Sequence, residues 1–408
     1  MKDGQAAGGA PAVFRRRVFF LPGYDPFPPR RYRELYRSEG AAQAALSGYA
    51  LALRGQGANG WRVTTETAGR RAEAEIEVLV WSDIVRASMA GGPLATYAQL
   101  VRTAWVYLAT GALIRLARLR KGPVIAALYP VGMLLAQAVV AALLAWGAAA
   151  AVAGAAGPLA AGIAAAVTGL LVLHGFRRLD HRVFAHYLLQ DFAFSASRRG
   201  GNPPALDARL AVFAARVRAA LDGDWDEVLV VGHSSGAHLG VHVVADAVRG
   251  GVPPQGPALA FLTLGQVVPM VSFLPGATRL RADLASLSVR DDLTWVDVTA
   301  PGDGCTFALC DPVAVSGVAP AGKRWPLVVS AAFTQTLRRK TWRRLRWRFF
   351  RLHLQYLCAF DNLSGQPWDY DYFRITAGAD TLAARFAGRA PSRSRIERAL
   401  SPHTSIAG

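Results

Sequence analysis

Residues 227–240 read Glu227-Val-Leu-Val-Val-Gly232-His233-Ser234-Ser235-Gly236-Ala237-His238-Leu239-Gly240. A short β-branched apolar run passes through Gly-x-Ser-x-Gly into a helix-like pattern, so the order is strand, tight turn, helix. A serine at such a turn takes a strained backbone, and side chains at the flanking positions collide with strand and helix. Gly232 and Gly236 remove those collisions. Ser234 Oγ then stands at the carboxyl end of the strand, and the Ser235 N–H at the helix N-terminus faces any oxyanion that develops there. Ser234 is the candidate nucleophile. Gly makes up 40 of 408 residues, so the flanking strand and helix carry more weight than the bare motif.

Working outward, further apolar strands alternate with helical stretches. Arg17-Val-Phe-Phe-Leu-Pro-Gly23-Tyr24-Asp25-Pro26 reads as a buried strand ending in a turn, and residues 30–53 as helix. Trp61–Thr67 and Glu75–Trp81 read as strands, 97–119 as one mostly apolar helix, and 209–221 as helix. After the serine turn, Ala258-Leu-Ala-Phe-Leu-Thr-Leu-Gly265 and Leu293-Thr-Trp-Val-Asp-Val-Thr299 are two more strands. Strands alternating with helices predict an α/β fold, a mostly parallel sheet flanked by helices.

The chain is 52% apolar and only 18% charged, greasier than a typical soluble domain. From Gly122 to Phe176 there is no Asp, Glu, Lys or Arg. As one straight helix that run would extend roughly 80 Å, far beyond a ~30 Å hydrocarbon core. Two crossings fit it, about 124–150 and 159–173, joined by a turn at Gly154, Gly157 and Pro158. The predicted element is a transmembrane helical hairpin inserted in the α/β domain. Arg115, Arg118, Arg120 and Lys121 precede it, Arg177, Arg178 and Arg182 follow it, and its turn is uncharged. By the positive-inside rule both termini and the α/β domain lie in the cytoplasm, at a multi-pass inner membrane protein. The expected organisation is a disordered lead-in at 1–12, without an apolar signal core, and a first part of the α/β domain at 13–100. A juxtamembrane helix at 101–122, the hairpin at 123–174, a second part of the α/β domain at 175–387 and a disordered basic tail at 388–408 complete it.

The 46 Lys and Arg against 28 Asp and Glu leave a net charge of +18. The densest basic segment, 337–351, interleaves arginines with Trp342, Leu345, Trp347, Phe349 and Phe350. Beside a membrane hairpin this reads as an interfacial element, with the bilayer as partner. No zinc-finger, RRM or homeodomain pattern is present, so nucleic acid is not expected as a partner. Three cysteines, Cys305, Cys310 and Cys358, form no disulfide framework.

A serine nucleophile needs a base, and the base an orienting acid. Where the nucleophile sits on a strand-to-helix turn, the chain order is Ser, then acid, then His. Of eight histidines, only His353 and His403 follow a plausible acid, and His403 lies in the Ser/Pro-rich tail. His353 is therefore the expected base. Asp303, in the Pro-Gly-Asp-Gly turn after residues 293–299, is the expected acid, with Asp311 as the alternative. Asp297 lies inside the strand and is expected to point outward. A second oxyanion donor is expected from the first strand's turn, the amide of Tyr24 or Gly23, partnering that of Ser235. His238, His242 and Asp246 share one helix face at metal-ligand spacing. Leu239 stands where the metalloprotease signature has Glu, so no metal is expected there.

Val-Gly-His-Ser234-Ser-Gly-Ala-His, Phe261-Leu-Thr-Leu-Gly-Gln, the strand leading to Asp303 and the late His353 together resemble the α/β-hydrolase superfamily, most nearly its lipase-like, class 3 type members. The early Phe-Phe-Leu-Pro-Gly-Tyr-Asp-Pro and the Arg-x-His-x-Gln-Tyr-Leu run are similar to those of membrane-associated bacterial proteins of unassigned activity. The resemblance covers most of the chain outside the hairpin, and its specific part is the serine turn. It implies a membrane-anchored serine hydrolase acting through an acyl-enzyme on an ester or thioester of a lipid or acylated substrate, without a cofactor. An acyltransferase on the same fold, or a non-catalytic scaffold, are the alternatives.

Overall fold

A computed structural model describes residues 13–407; the expected disordered lead-in at 1–12 lies outside the described residues. The strands are β1 (Phe14–Leu21), β2 (Ala50–Gln56), β3 (Gly60–Thr67), β4 (Arg70–Val78), β5 (Glu227–His233), β6 (Ala258–Leu264), β7 (Leu293–Thr299) and β8 (Leu327–Ser330). They form one eight-stranded sheet in the order β2-β3-β4-β1-β5-β6-β7-β8. β2, β3 and β4 are an antiparallel meander, while β4, β1 and β5 to β8 run parallel. The expected α/β class with a mostly parallel, helix-flanked sheet is what the chain adopts.

β5 is buried along its whole length because both faces of the sheet are covered. Side chains alternate between two cores, as the period of a strand requires. Phe19, Val228, Val230 and Phe261 enter the core under helix Gly236–Val248, while Phe20, Leu229, Val231 and Leu262 enter the opposite one. At the amino end of the central strands, Arg16 and Glu227 form a buried ion pair at 2.5 Å. Arg16 also donates to the carbonyls of Gly378 and Asp380, and Glu227 accepts the Leu382 N–H. The pair thus ties β1 and β5 to the segment after residue 377.

Several local expectations are corrected. Residues 30–53 are not one helix: Arg30–Ser47 ends at Gly48, whose φ of 70° caps it in the left-handed region, and β2 begins at Ala50. Residues 97–119 form two helices, Pro93–Ala109 and Ala112–Leu119, bent by 74° at Gly111. The first exposes Leu94, Val101, Trp105 and Leu108 along one stripe. The tail after 388 is laid down on the body rather than disordered: Ile396 pairs with Cys310, Ser392 N–H reaches the Val328 carbonyl, and Arg281 holds the Ser405 carbonyl. Asp297 does not point outward; it is fully buried and accepts from Thr263 Oγ1 at 2.6 Å. In a sheet covered on both faces, alternation chooses a layer, not solvent.

The apolar run forms the helix Lys121–Arg178, long and apolar enough to cross a membrane and kinked at Gly157. Its backbone leaves helical geometry at Gly157, with φ 78° and ψ 177°, just before Pro158. On either side of that break, a Cβ on Gly169 would lie 3.7 Å from Ala145 Cβ, and Tyr129 Oη donates to the Val183 carbonyl at 2.7 Å. The first turns lie against the α/β body. Gly122 packs on Gly304 so closely that a Cβ would stand 3.0 Å from its carbonyl oxygen. Leu134 is buried with Leu100 and Leu189, and Arg177 caps the carbonyls of Met89 and Gly91.

Candidate active site

Ser234 occupies the turn between β5 and helix Gly236–Val248 with φ 58°, a region that a non-glycine residue rarely enters. The surroundings over-determine it. Ser234 N–H donates to the Leu264 carbonyl at 2.9 Å. A Cβ on Gly232 would lie 2.5 Å from the Gly236 carbonyl, and one on Gly236 would overlap the Leu21 carbonyl. Farther along, a Cβ on Gly240 would stand 2.7 Å from the Phe261 ring, so three glycines let strand, turn and helix close on one another.

β1 and β5 are neighbours whose onward connections leave to opposite sides, the switch point where ligand crevices form in open α/β sheets. The loop after β1 reaches Ser234 there: a Cβ on Gly23 would sit 3.0 Å from Ser234 Cβ and 3.4 Å from its Oγ. The loop is held from behind. Trp81 Nε1 donates to the Pro22 carbonyl at 3.0 Å, Tyr187 Oη to the Tyr24 carbonyl, and Tyr24 Oη pairs with Ser88 at 2.6 Å. Among the described residues, the amides of Gly23, Tyr24 and Ser235 donate to no protein acceptor. They are available where they crowd the serine.

His353 ends helix Phe349–His353, and its Nδ1 lies 2.7 Å from Asp303 Oδ2. Asp303 is fully buried in the turn after β7, where its Oδ1 also accepts the Cys305 N–H at 2.9 Å. His353 is held against the serine turn by two contacts. His233 Nε2 donates to the His353 carbonyl at 3.0 Å, the two rings lying 4.8 Å apart. His353 Cε1 also faces Gly265, where a Cβ would lie only 3.2 Å away. Burial, with His353 nearby, holds the His233 imidazole down to about 3, so it stays neutral as the donor that this bond requires. Neither Ser234 Oγ nor His353 Nε2 hydrogen-bonds to any described residue, and the two do not hydrogen-bond to each other.

The alternative acid is engaged elsewhere. Asp311 caps the short helix Pro312–Val315, accepting from Val313 and Ala314 N–H, and pairs with Lys323 at 2.5 Å. On the His238, His242 and Asp246 face, His242 Nδ1 meets Asp283 at 2.7 Å and Asp246 meets Arg249 and Arg279, so two of the three groups are engaged elsewhere. Donor atoms of Asp303, Cys305 and His353 do converge within 4.8 Å. This set suits a metal poorly, since His353 Nδ1 is spent on Asp303, and burial together with Asp303 raises the Cys305 thiol well above its usual range.

One group at the site was not foreseen. Asp191, in helix Ala185–Ala196, accepts from Ser235 Oγ at 3.2 Å. Part of the residue stays open, but protein atoms crowd its carboxyl, and that desolvation raises it to about 7. No motif marks it; the only signal is a single acid inside the apolar run Tyr187-Leu-Leu-Gln-Asp191-Phe-Ala-Phe. Compared with protein families, curated proteins and solved structures, the chain matches none.

Proposed function

We propose that this protein is a membrane-anchored serine hydrolase of the α/β-hydrolase kind, cleaving an ester or thioester of a lipid or acylated substrate. The observation that carries the reading is the left-handed Ser234 on a strand-to-helix turn, with the Asp303–His353 pair tethered to that same turn. The order along the sheet supports it: acid after β7, histidine after β8, and the amide-bearing loop after β1, beside the serine strand. In this reading Ser234 Oγ attacks the substrate carbonyl while His353 Nε2 takes its proton. Asp303 fixes the ring and stabilises the imidazolium, and the Tyr24 and Ser235 amides, with Gly23, receive the oxyanion. His353 returns the proton to the departing alcohol or thiol. Water, deprotonated by the same imidazole, then releases the acid from the acyl-serine.

The membrane anchor is supported by the break at Gly157. The docked turns end near Gln137, and from Ala138 to Gly157 the helix rises roughly 30 Å, as does Pro158 to Arg177, which matches a hydrocarbon core of about 30 Å. The two limbs are read as a transmembrane hairpin with Ala145 and Gly169 in its seam. A fluorophosphonate probe tests the enzyme reading on the full chain in detergent. The wild type is expected to label and Ser234→Ala to remain blank; labelling that persists in Ser234→Ala removes the proposal.

A further inference from the structure

A cavity of about 1340 Å³ opens between the α/β body, the foot of the long apolar helix and the arginine-rich segment. It exceeds the roughly 300–1,000 Å³ of most small-molecule pockets. Its walls are largely apolar, with Ile125, Tyr129, Phe184, Phe349, Phe350 and Leu354 among them. Cys305 also lines it, and its donor atom lies within 4.8 Å of those of Asp303 and His353. The cavity therefore adjoins the histidine–aspartate pair across one side chain. Tyr129 stands roughly 12 Å of helix rise below Gln137, where the proposed bilayer segment begins.

Charge at the rim is one-sided. Arg31, Arg182, Arg348 and Arg351 are exposed there, and none has a carboxylate within 4.0 Å among the described residues. The two acids in the lining are engaged: Glu34 pairs with Arg37 at 2.8 Å, and Glu39 accepts the Ala359 N–H at 3.0 Å. Guanidinium groups match phosphate and carboxylate through paired N–H donors. From this complementarity we infer that the cavity takes an anionic acyl lipid from the bilayer, its chain along Ile125 and Phe349 and its charged head at the four arginines. The inference rests on the hydrolase reading only for what happens next; binding itself does not require Ser234.

The test uses full-length Ser234→Ala in nanodiscs with photo-crosslinkable phosphatidylglycerol and phosphatidylcholine probes, followed by peptide mapping. The anionic probe is expected to crosslink to peptides carrying Ile125 and Phe349 and to outcompete the zwitterionic one. Arg348→Gln with Arg351→Gln should weaken it roughly thirtyfold, at about 1 kcal/mol per arginine near a charged surface. Ala126→Trp, which fills the cavity, should abolish labelling of both peptides. Equal labelling by the two probes, or indifference to either change, overturns the inference. So does full competition by inorganic phosphate or glycerol phosphate, which would mark a soluble-anion site. If the fluorophosphonate test fails while anionic crosslinking survives, the hydrolase reading falls and the lipid site stands.

Discussion

Asp303 and Asp311 both follow β7, yet their surroundings give them different work. Asp303 spends one oxygen on His353 and is buried with it, whereas Asp311 closes a helix end. Asp303→Asn is therefore expected to lower kcat toward an acyl ester by about 10⁴, by favouring the wrong imidazole tautomer. Asp311→Ala should leave kcat nearly unchanged and reduce stability by about 1 kcal/mol, as loss of an N-cap does. Steady-state hydrolysis and urea unfolding of the two variants separate these outcomes. Gly236→Ala pushes a methyl into the Leu21 carbonyl and should destabilise by about 3 kcal/mol, at the upper end of ordinary overpacking. Asp191 adds a pH signature. Its folded value, about 7, lies above the ordinary 3.8, so folding favours its protonated form. Its contribution is fully present below about pH 4 and is lost as pH rises through about 7. Asp191→Asn should flatten that decline in denaturant titrations and raise stability at pH 8; an unchanged slope counts against the assignment.

The same buried pair that fastens β1 to β5 sets a prediction for the strands. Glu227→Gln leaves the Arg16 guanidinium buried without its carboxylate and should cost about 3–5 kcal/mol in chemical unfolding. Arg16→Met with Glu227→Leu should recover part of that loss, because no charge is then stranded although the Leu382 N–H and the Gly378 and Asp380 carbonyls still lose their partners. Strands were legible in sequence in proportion to their burial. β5, β6 and β7 are predominantly apolar and almost wholly buried, and the centre of the sheet is covered on both faces. β2 was hidden because Ala-Leu-Ala-Leu continues the alanine-rich composition of the helix before it; only Gly48 marks the boundary. β8, four residues long, left too short a pattern to read. In the site, Ser234, Asp303 and His353 could be found by chain order, since a turn motif and an elimination among histidines use sequence alone. Asp191 could not, because its approach to Ser235 depends on how a distant helix packs.

For the molecule as a whole, the proposed hairpin fixes which residues face which compartment. Ala156→Cys, beside the break at Gly157, should react with a membrane-impermeant maleimide on intact cells. Ala42→Cys, exposed on helix Arg30–Ser47 of the α/β body, should react only after permeabilisation. Protection of position 156 would instead bury the long helix within the protein. The bend at Gly111 carries a further consequence. Before it, Leu94, Val101, Trp105 and Leu108 form a second exposed greasy face, separate from that of the long helix. Excising residues 124–173 would then yield no freely diffusing protein. The shortened protein should still sediment with vesicles and come off fully only with mild surfactant, salt loosening the arginine contacts but not this oily face.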